Sequence, residues 1–298
     1  TTYVWNTRNL PTTINEAVGT GQARTTTITW HATLNKPTQI NEPGRRTDLA
    51  YDADGNLTSR TVTDTGSGAS RTWTYTYNAN KLLASVDGPL AGTGDTTTLT
   101  WSASGNLLTI TNPLGHVMTY SAHDTLGRPH TVTDPNSVVT QLDYTARGQL
   151  SAATIDPGGA NPDVTSFAYD LAGQVTESWR AIGSVRPYDI TSTYDAAHRL
   201  TRQTDLFGNK VDVSLDLNDN VTEQAVKDSG DTVRLKTQAT YDSLGRLATR
   251  KNAAGTQVLA VGYDGNGNPT SLTRPQNSWS NAFDARNRRT SSVDASSN

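Results

Sequence analysis

The chain has 298 residues, of which 34% are hydrophobic, with a net charge of −3 and no cysteine. Without thiols there is no disulfide framework, no thiolate metal site and no cysteine nucleophile. The faintly acidic balance gives no global basic field for nucleic acid, and no stretch approaches the roughly 18–20 apolar residues of a membrane-spanning helix.

Composition points away from helices. Asp occurs 24 times against 4 Glu, and Thr occurs 49 times. The short Asp carboxylate competes for nearby backbone N–H groups and favours turns, whereas Glu favours helix interiors. Thr is β-branched and suits a pleated, half-exposed surface. With 24 Gly and 12 Pro, the chain reads as many short strands between turns. Its 6 Trp and 11 Tyr, at ordered spacing, separate it from a disordered polar segment.

A motif recurs from end to end. Its anchors, in chain order, are Trp5, Trp30, Tyr51, Tyr77, Trp101, His123, Tyr144, Tyr169, Tyr194, Leu215, Tyr241, Tyr263 and Phe283. The fullest copies are Tyr51-Asp52-Ala53-Asp54-Gly55-Asn56-Leu57, Tyr169-Asp170 through Gly173 to Val175, Tyr241-Asp242 through Gly245 to Leu247, and Tyr263-Asp264 through Gly267 to Pro269. After the anchor stands Asp in eight copies, Asn6 or Asn78 in two, and Ser102, Thr145 or His31 in the others. All but the histidine are short acceptors for a turn's backbone N–H groups. Four residues after the anchor stands Gly in seven copies, and elsewhere Asn9, His198, Asp219 or Asn287, residue types that tolerate positive φ. Lys81 departs, and the Trp30 copy carries one extra residue before Asn35. Asp opening a type I turn, with a left-handed residue at its fourth position, predicts a hairpin loop with a G1 bulge.

The flanks alternate with period two, as half-buried strands do. Trp73, Tyr75 and Tyr77 alternate with Thr72, Thr74 and Thr76; Val211, Val213, Leu215 and Leu217 alternate with Asp212, Ser214 and Asp216. A second turn falls about half a period away, at Asn41–Gly44, Asn112–Gly115, Asp205–Gly208 and Asn252–Gly255. The spacing therefore predicts about 26 strands, an all-β antiparallel strip on the order of 120 Å long that twist must coil into a partial shell or solenoid. No second domain interrupts the array over 1–298, and the pattern running off both ends predicts a segment of a longer protein.

The Tyr-Asp-x-x-Gly-x-Leu units, with Asx-x-x-Gly turns between them, resemble the YD repeats of the Rhs (rearrangement hot spot) family, which includes bacterial polymorphic toxins, Tc toxin B and C subunits and animal teneurins. The resemblance covers essentially the whole chain and implies a β-hairpin strip spiralling into a cocoon. It implies a non-enzymatic shell, bacterial and secreted or at the cell surface, in some members delivered by type VI secretion. The partner it implies is a polypeptide cargo such as a toxin domain, or the remainder of the shell. The alternative is an adhesion or carbohydrate-binding module with a glycan partner. No cofactor is expected. Open strip edges would invite self-association. The resemblance also implies, for bacterial members, a shell that usually ends in an Asp-Pro-x-Gly type motif with self-cleavage; the nearest strings here, Asp134-Pro135-Asn136-Ser137 and Asp156-Pro157-Gly158-Gly159, fall at expected turns mid-chain.

Other candidate chemistry reads as turn chemistry. Asp64-Thr65-Gly66-Ser67 matches an aspartic-protease signature, but that mechanism needs two aspartates sharing a proton, and no second Asp-Thr-Gly exists. Asp52, Asp54 and Asn56 alternate as in a calcium loop, as do Asp264, Asn266 and Asn268, and Asp216, Asn218 and Asn220. The bidentate Glu at position 12 is replaced by Thr63, Pro275 and Lys227. His116, His123 and His130 are spaced by seven, which does not converge them on a metal. Three of the tryptophans (Trp5, Trp30, Trp101) sit at anchors and Trp73 and Trp179 lie within alternating strands, where packing is the expected role over sugar stacking.

Overall fold

The structure, a computed structural model, describes residues 1–16, 19 and 23–296. It contains 26 strands, from Thr2–Trp5 to Arg289–Ser296, and no helix among the described residues. The chain packs into two compact units, Thr1–Thr140 and Gln141–Asn298. In the first, each strand from Thr2–Trp5 to Pro129–Thr133 pairs antiparallel with the next in the chain. In the second, the same meander runs from Leu150–Ile155 to Arg289–Ser296.

The two faces of these hairpins are chemically distinct. Along Ser70–Tyr77 the threonines are exposed while Trp73, Tyr75 and Tyr77 are half-buried. Thr hydroxyls meet across strands, Thr61 with Thr72 at 2.8 Å, Thr100 with Thr109 at 2.6 Å and Thr240 with Thr249 at 2.6 Å. On the opposite face Tyr75 lies across from Val86, and Leu272 across from Trp279. Such cross-strand pairs are the unit of sheet stability. Burial is shallow: Ala225, Thr47 and Gly55 are the buried residues among those described, and no side chain is fully enclosed.

Two details differ from the sequence pattern. Asn41 is a strand residue opposite Arg46, and the turn there is the tighter Pro43–Gly44 link between Pro37–Glu42 and Arg45–Tyr51. Proline cannot donate to a ladder, so the strand ends on the residue before it. Leu217 does not continue its strand: Lys210–Leu215 stops at the anchor, and Leu217 is 99% exposed on the turn.

Candidate functional site

All thirteen anchors are the last residues of their strands, so the repeat produces a row of equivalent hairpin tips in each unit. In the Tyr51 copy, the Gly55 N–H donates to the Asp52 carbonyl at 3.0 Å and the Asp52 N–H donates to the Asn56 carbonyl at 2.9 Å. Gly55 has φ +83°, and Gly173, Gly245 and Gly267 lie between +75° and +89°. The same pair of bonds closes the turns at Asp170, Asp242 and Asp264. Lys81 takes φ +63° at this slot despite its side chain. The longer Trp30 loop has no left-handed residue; its His31 N–H reaches the Lys36 carbonyl.

The residue after the anchor caps its own turn. Asp52 Oδ1 accepts the N–H groups of Asp54 (2.9 Å) and Asn56 (2.8 Å), and Asp170, Asp242 and Asp264 accept the corresponding pairs. The second carboxylate oxygen is clasped from four residues on, by Asn56, Asn220 and Asn268 amides or by Arg128, Arg199, Arg246 and Arg288 guanidinium groups. The Asn56, Asn220 and Asn268 amides are the chief reason that Asp52, Asp216 and Asp264 sit below the usual carboxylate range. For Asp242 the backbone N–H of Arg246 leads, and for Asp195 the Arg199 side chain.

The aromatic tips join one repeat to the one before. Tyr51 donates its hydroxyl to the Pro37 carbonyl (2.9 Å), Tyr77 to Leu57 (2.9 Å), Tyr169 to Leu150 (2.7 Å), Tyr194 to Val175 (2.8 Å), Tyr241 to Val221 (2.9 Å) and Tyr263 to Leu247 (3.0 Å). The indoles of Trp30 and Trp101 do the same to Pro11 and Leu83. In every case the acceptor is the first residue of the previous hairpin's return strand. Leu57 and Val175 thus have a second role, presenting a carbonyl. Burial raises the Tyr51 and Tyr77 phenols and keeps them donors.

A register slip beside the anchor aims the ring. Ala50 faces Ser59 and Tyr51 faces Leu57, so Thr58 is left over as a bulge. At the equivalent position the hydroxyls of Thr12, Thr38, Thr201 and Thr222 donate to the carbonyls of Val4, Thr29, Thr193 and Ser214. The sequence pattern showed the anchors and turns. It did not show the ring-to-carbonyl bonds or this threonine, because every residue carries a carbonyl.

The remaining sequence candidates fall on turns. Asp64 Oδ1 accepts Gly66 and Ser67 N–H groups at 2.9 and 2.8 Å. Asp134 caps Asn136 and Val138, and the Asp156 carbonyl accepts the Gly159 N–H. Among the described residues no three His, Asp or Glu side chains converge as a metal site. His116 bonds Asn112, His123 ends its strand, and His130 lies 4.0 Å from Asp124. Arg60, Arg186 and Arg274 lie over the rings of Trp73, Trp179 and Trp279 at 5.2, 4.7 and 5.3 Å.

An antiparallel hairpin array with aromatic-acid-glycine tips defines a YD-repeat protein. Residues 2–186 match the teneurin YD-shell model, and residues 169–210 and 241–278 match the RHS repeat. The chain belongs to the teneurin YD-shell family of structural shell repeats. It is also similar to the solved Tc toxin structure of TcdB2-TccC3 lacking its hypervariable C-terminal region, at 12% identity and a TM-score of 0.45, covering 97% of this chain and 21% of that one. The Photorhabdus luminescens Tc holotoxin pore gives 13% identity and a TM-score of 0.46, over 90% of this chain and 19% of that one. A porin-like protein from Bacteroides uniformis gives 12% and 0.28, over 88% and 91%. The chain spans about a fifth of the Tc toxin chains it matches. No curated protein matches it.

Proposed function

We propose that this chain is a length of shell wall in a secreted bacterial YD-repeat protein, and that the wall encloses a polypeptide cargo such as a toxin domain. The observation that carries the reading is the ring-to-carbonyl bond from one hairpin to the previous one, repeated at eight anchors. It adds a side-chain tie to hairpins that their strand ladders already join, in a wall whose polar backbone is satisfied within itself. On this reading Tyr51, Asp52, Gly55 and Leu57, and their counterparts at 169–175, 241–247 and 263–267, are structural residues and perform no chemistry. Confinement is the mechanism: a chain held inside has no room to fold or act.

The glycan-binding alternative needs open aromatic faces. Trp73, Trp179 and Trp279 instead carry a guanidinium over the ring, which favours the wall. The test is proteolysis of the full-length protein. The enclosed segment is expected to resist a protease that cuts an unstructured polypeptide at once, and to become cleavable when Tyr51, Tyr169 and Tyr241 are all replaced by Ala. A segment cut at the same rate in both forms overturns the reading.

A further inference from the structure

His31 stands where the other turns place Asp, Asn, Ser or Thr. Its ring Nδ1 accepts the Leu34 N–H at 3.1 Å and the Thr33 N–H at 3.3 Å, and the Thr33 hydroxyl lies 3.4 Å away. An imidazole nitrogen can accept only while it carries no proton. The loop it caps is tied to the turns on both sides. The Arg8 guanidinium, from the preceding turn, donates to the carbonyls of His31 (2.5 Å) and Leu34 (3.4 Å). Lys36 Nζ donates to the carbonyl of Gly55 in the following turn and lies 5.4 Å from the Tyr51 ring centre. Leu34 covers Gly55 closely enough that an added Cβ there would meet its Cδ1 at 3.4 Å.

Among the described residues, Arg8 from the preceding turn bonds the His31 carbonyl and the Tyr51 ring stands edge-on to the imidazole at 6.4 Å, with Lys36 of the same loop over that ring. None of them is an anion that would hold an imidazolium, and no ion pair joins His31 to a carboxylate among the described residues.

We propose that His31 is an acid-sensitive latch on the first unit's turn row. A proton gained at Nδ1 turns the acceptor into a donor that faces two backbone N–H groups, keeps only the longer 3.4 Å contact to the Thr33 hydroxyl as a place to donate, and adds a cation to a loop already bound by Arg8 and Lys36. The loop His31–Lys36 then lets go, and its grips on the turns at Asn6–Leu10 and Asp52–Asn56 loosen together. The other polar caps of this unit's turns, Asn6, Asp52, Asn78, Ser102 and Asp124, do not titrate between neutral and mildly acid pH.

Amide hydrogen exchange in the intact chain, corrected for intrinsic rates, tests this. Between about pH 7.5 and about pH 5.5, where imidazoles take up their proton, the protection of Thr33 and Leu34 is expected to fall roughly tenfold, the weight of about one hydrogen bond. Asn80 and Leu82, capped by the Asn78 amide, are expected to hold. His31→Asn supplies an acceptor that does not titrate and is expected to abolish the response. Should that variant fail to close the loop, the wild-type ring gives a second readout: the Thr33 and Leu34 amide resonances are expected to shift in step with the ring nitrogens. Equal changes at all four amides overturn the latch. So do loop amides that stay still while the ring titrates, or a His31→Asn chain that keeps the wild-type response.

Discussion

The two units build one turn from different letters. In Thr1–Thr140 the residues that open the tips are Asn6, His31, Asp52, Asn78, Ser102 and Asp124; in Gln141–Asn298 they are Thr145 and then six aspartates. The fourth position is Gly in both units, but Lys81 in the first and His198 or Asp219 in the second also adopt positive φ. The backbone bonds are nevertheless the same in Asn78–Leu82 as in Asp242–Arg246. Outside the longer Trp30 loop, each tip needs an acceptor within reach of two N–H groups and a residue that can stand left-handed; it does not need a particular spelling. The RHS-repeat matches fall in the second unit, where the spelling is most regular.

The comparison breaks most visibly at the glycines. Gly55→Val forces a β-branched residue to φ +83°, with its Cβ already in contact with Leu34 and Lys36 at 3.4 and 3.5 Å so that its methyls crowd them. The expected cost is about 2–4 kcal/mol, read as a lowered denaturant midpoint. At Gly267 the nearest atom to an added Cβ is Arg246 Nη1 at 3.9 Å. Gly267→Val is therefore expected to cost the strain alone, about 1–3 kcal/mol. Equal losses at the two sites would show that the contacts over Gly55 add nothing.

A smaller effect probes what the units share. Tyr169→Phe keeps the ring and removes the 2.7 Å bond to the Leu150 carbonyl, with an expected cost of about 1 kcal/mol in the same measurement. Leu215 and Phe283 occupy the anchor slot without a polar tip, so the wall tolerates single omissions. A Tyr169→Phe variant as stable as the parent would mean that ring packing and the strand ladder join these repeats without help from the hydroxyl bond.

Much of this was legible beforehand, for reasons that can be named. Strand ends are set by residues with hard local preferences: Asp52 seeks N–H groups two and four residues on, and Gly55 relieves a left-handed bend. Both act within five residues, and the pattern exposes them. The Tyr51 hydroxyl acts across 14 residues on a carbonyl of Pro37, an acceptor that any residue would supply. The clamp was therefore invisible although both of its ends lay in the repeat. Leu217 misled because alternation alone cannot say where a strand stops; the turn bonds of Asp216 decide it. Asn41 misled because an Asx–Gly tetrad also fits a turn one step tighter when proline fills its third position.

The second unit differs most in its ion pairs, and there the expected effect is smallest and depends on pH. Asp212 bonds Arg202 Nε at 2.5 Å and Lys227 Nζ at 2.7 Å, and the Arg202 bond is the main reason its carboxyl is lowered to about 2. In the unfolded chain the same group titrates near about 3.9. Because the folded value is the lower one, the unfolded state binds the proton first. The contribution of Asp212 is then complete above about pH 4 and is lost as pH falls toward about 2. The Arg202 side chain is 43% exposed, so at neutral pH Asp212→Asn is expected to cost less than about 1 kcal/mol. Denaturant midpoints measured down that acid range are expected to converge for parent and variant. Curves that stay parallel would remove Asp212 from the acid response and leave the capping aspartates, common to both units, to account for it.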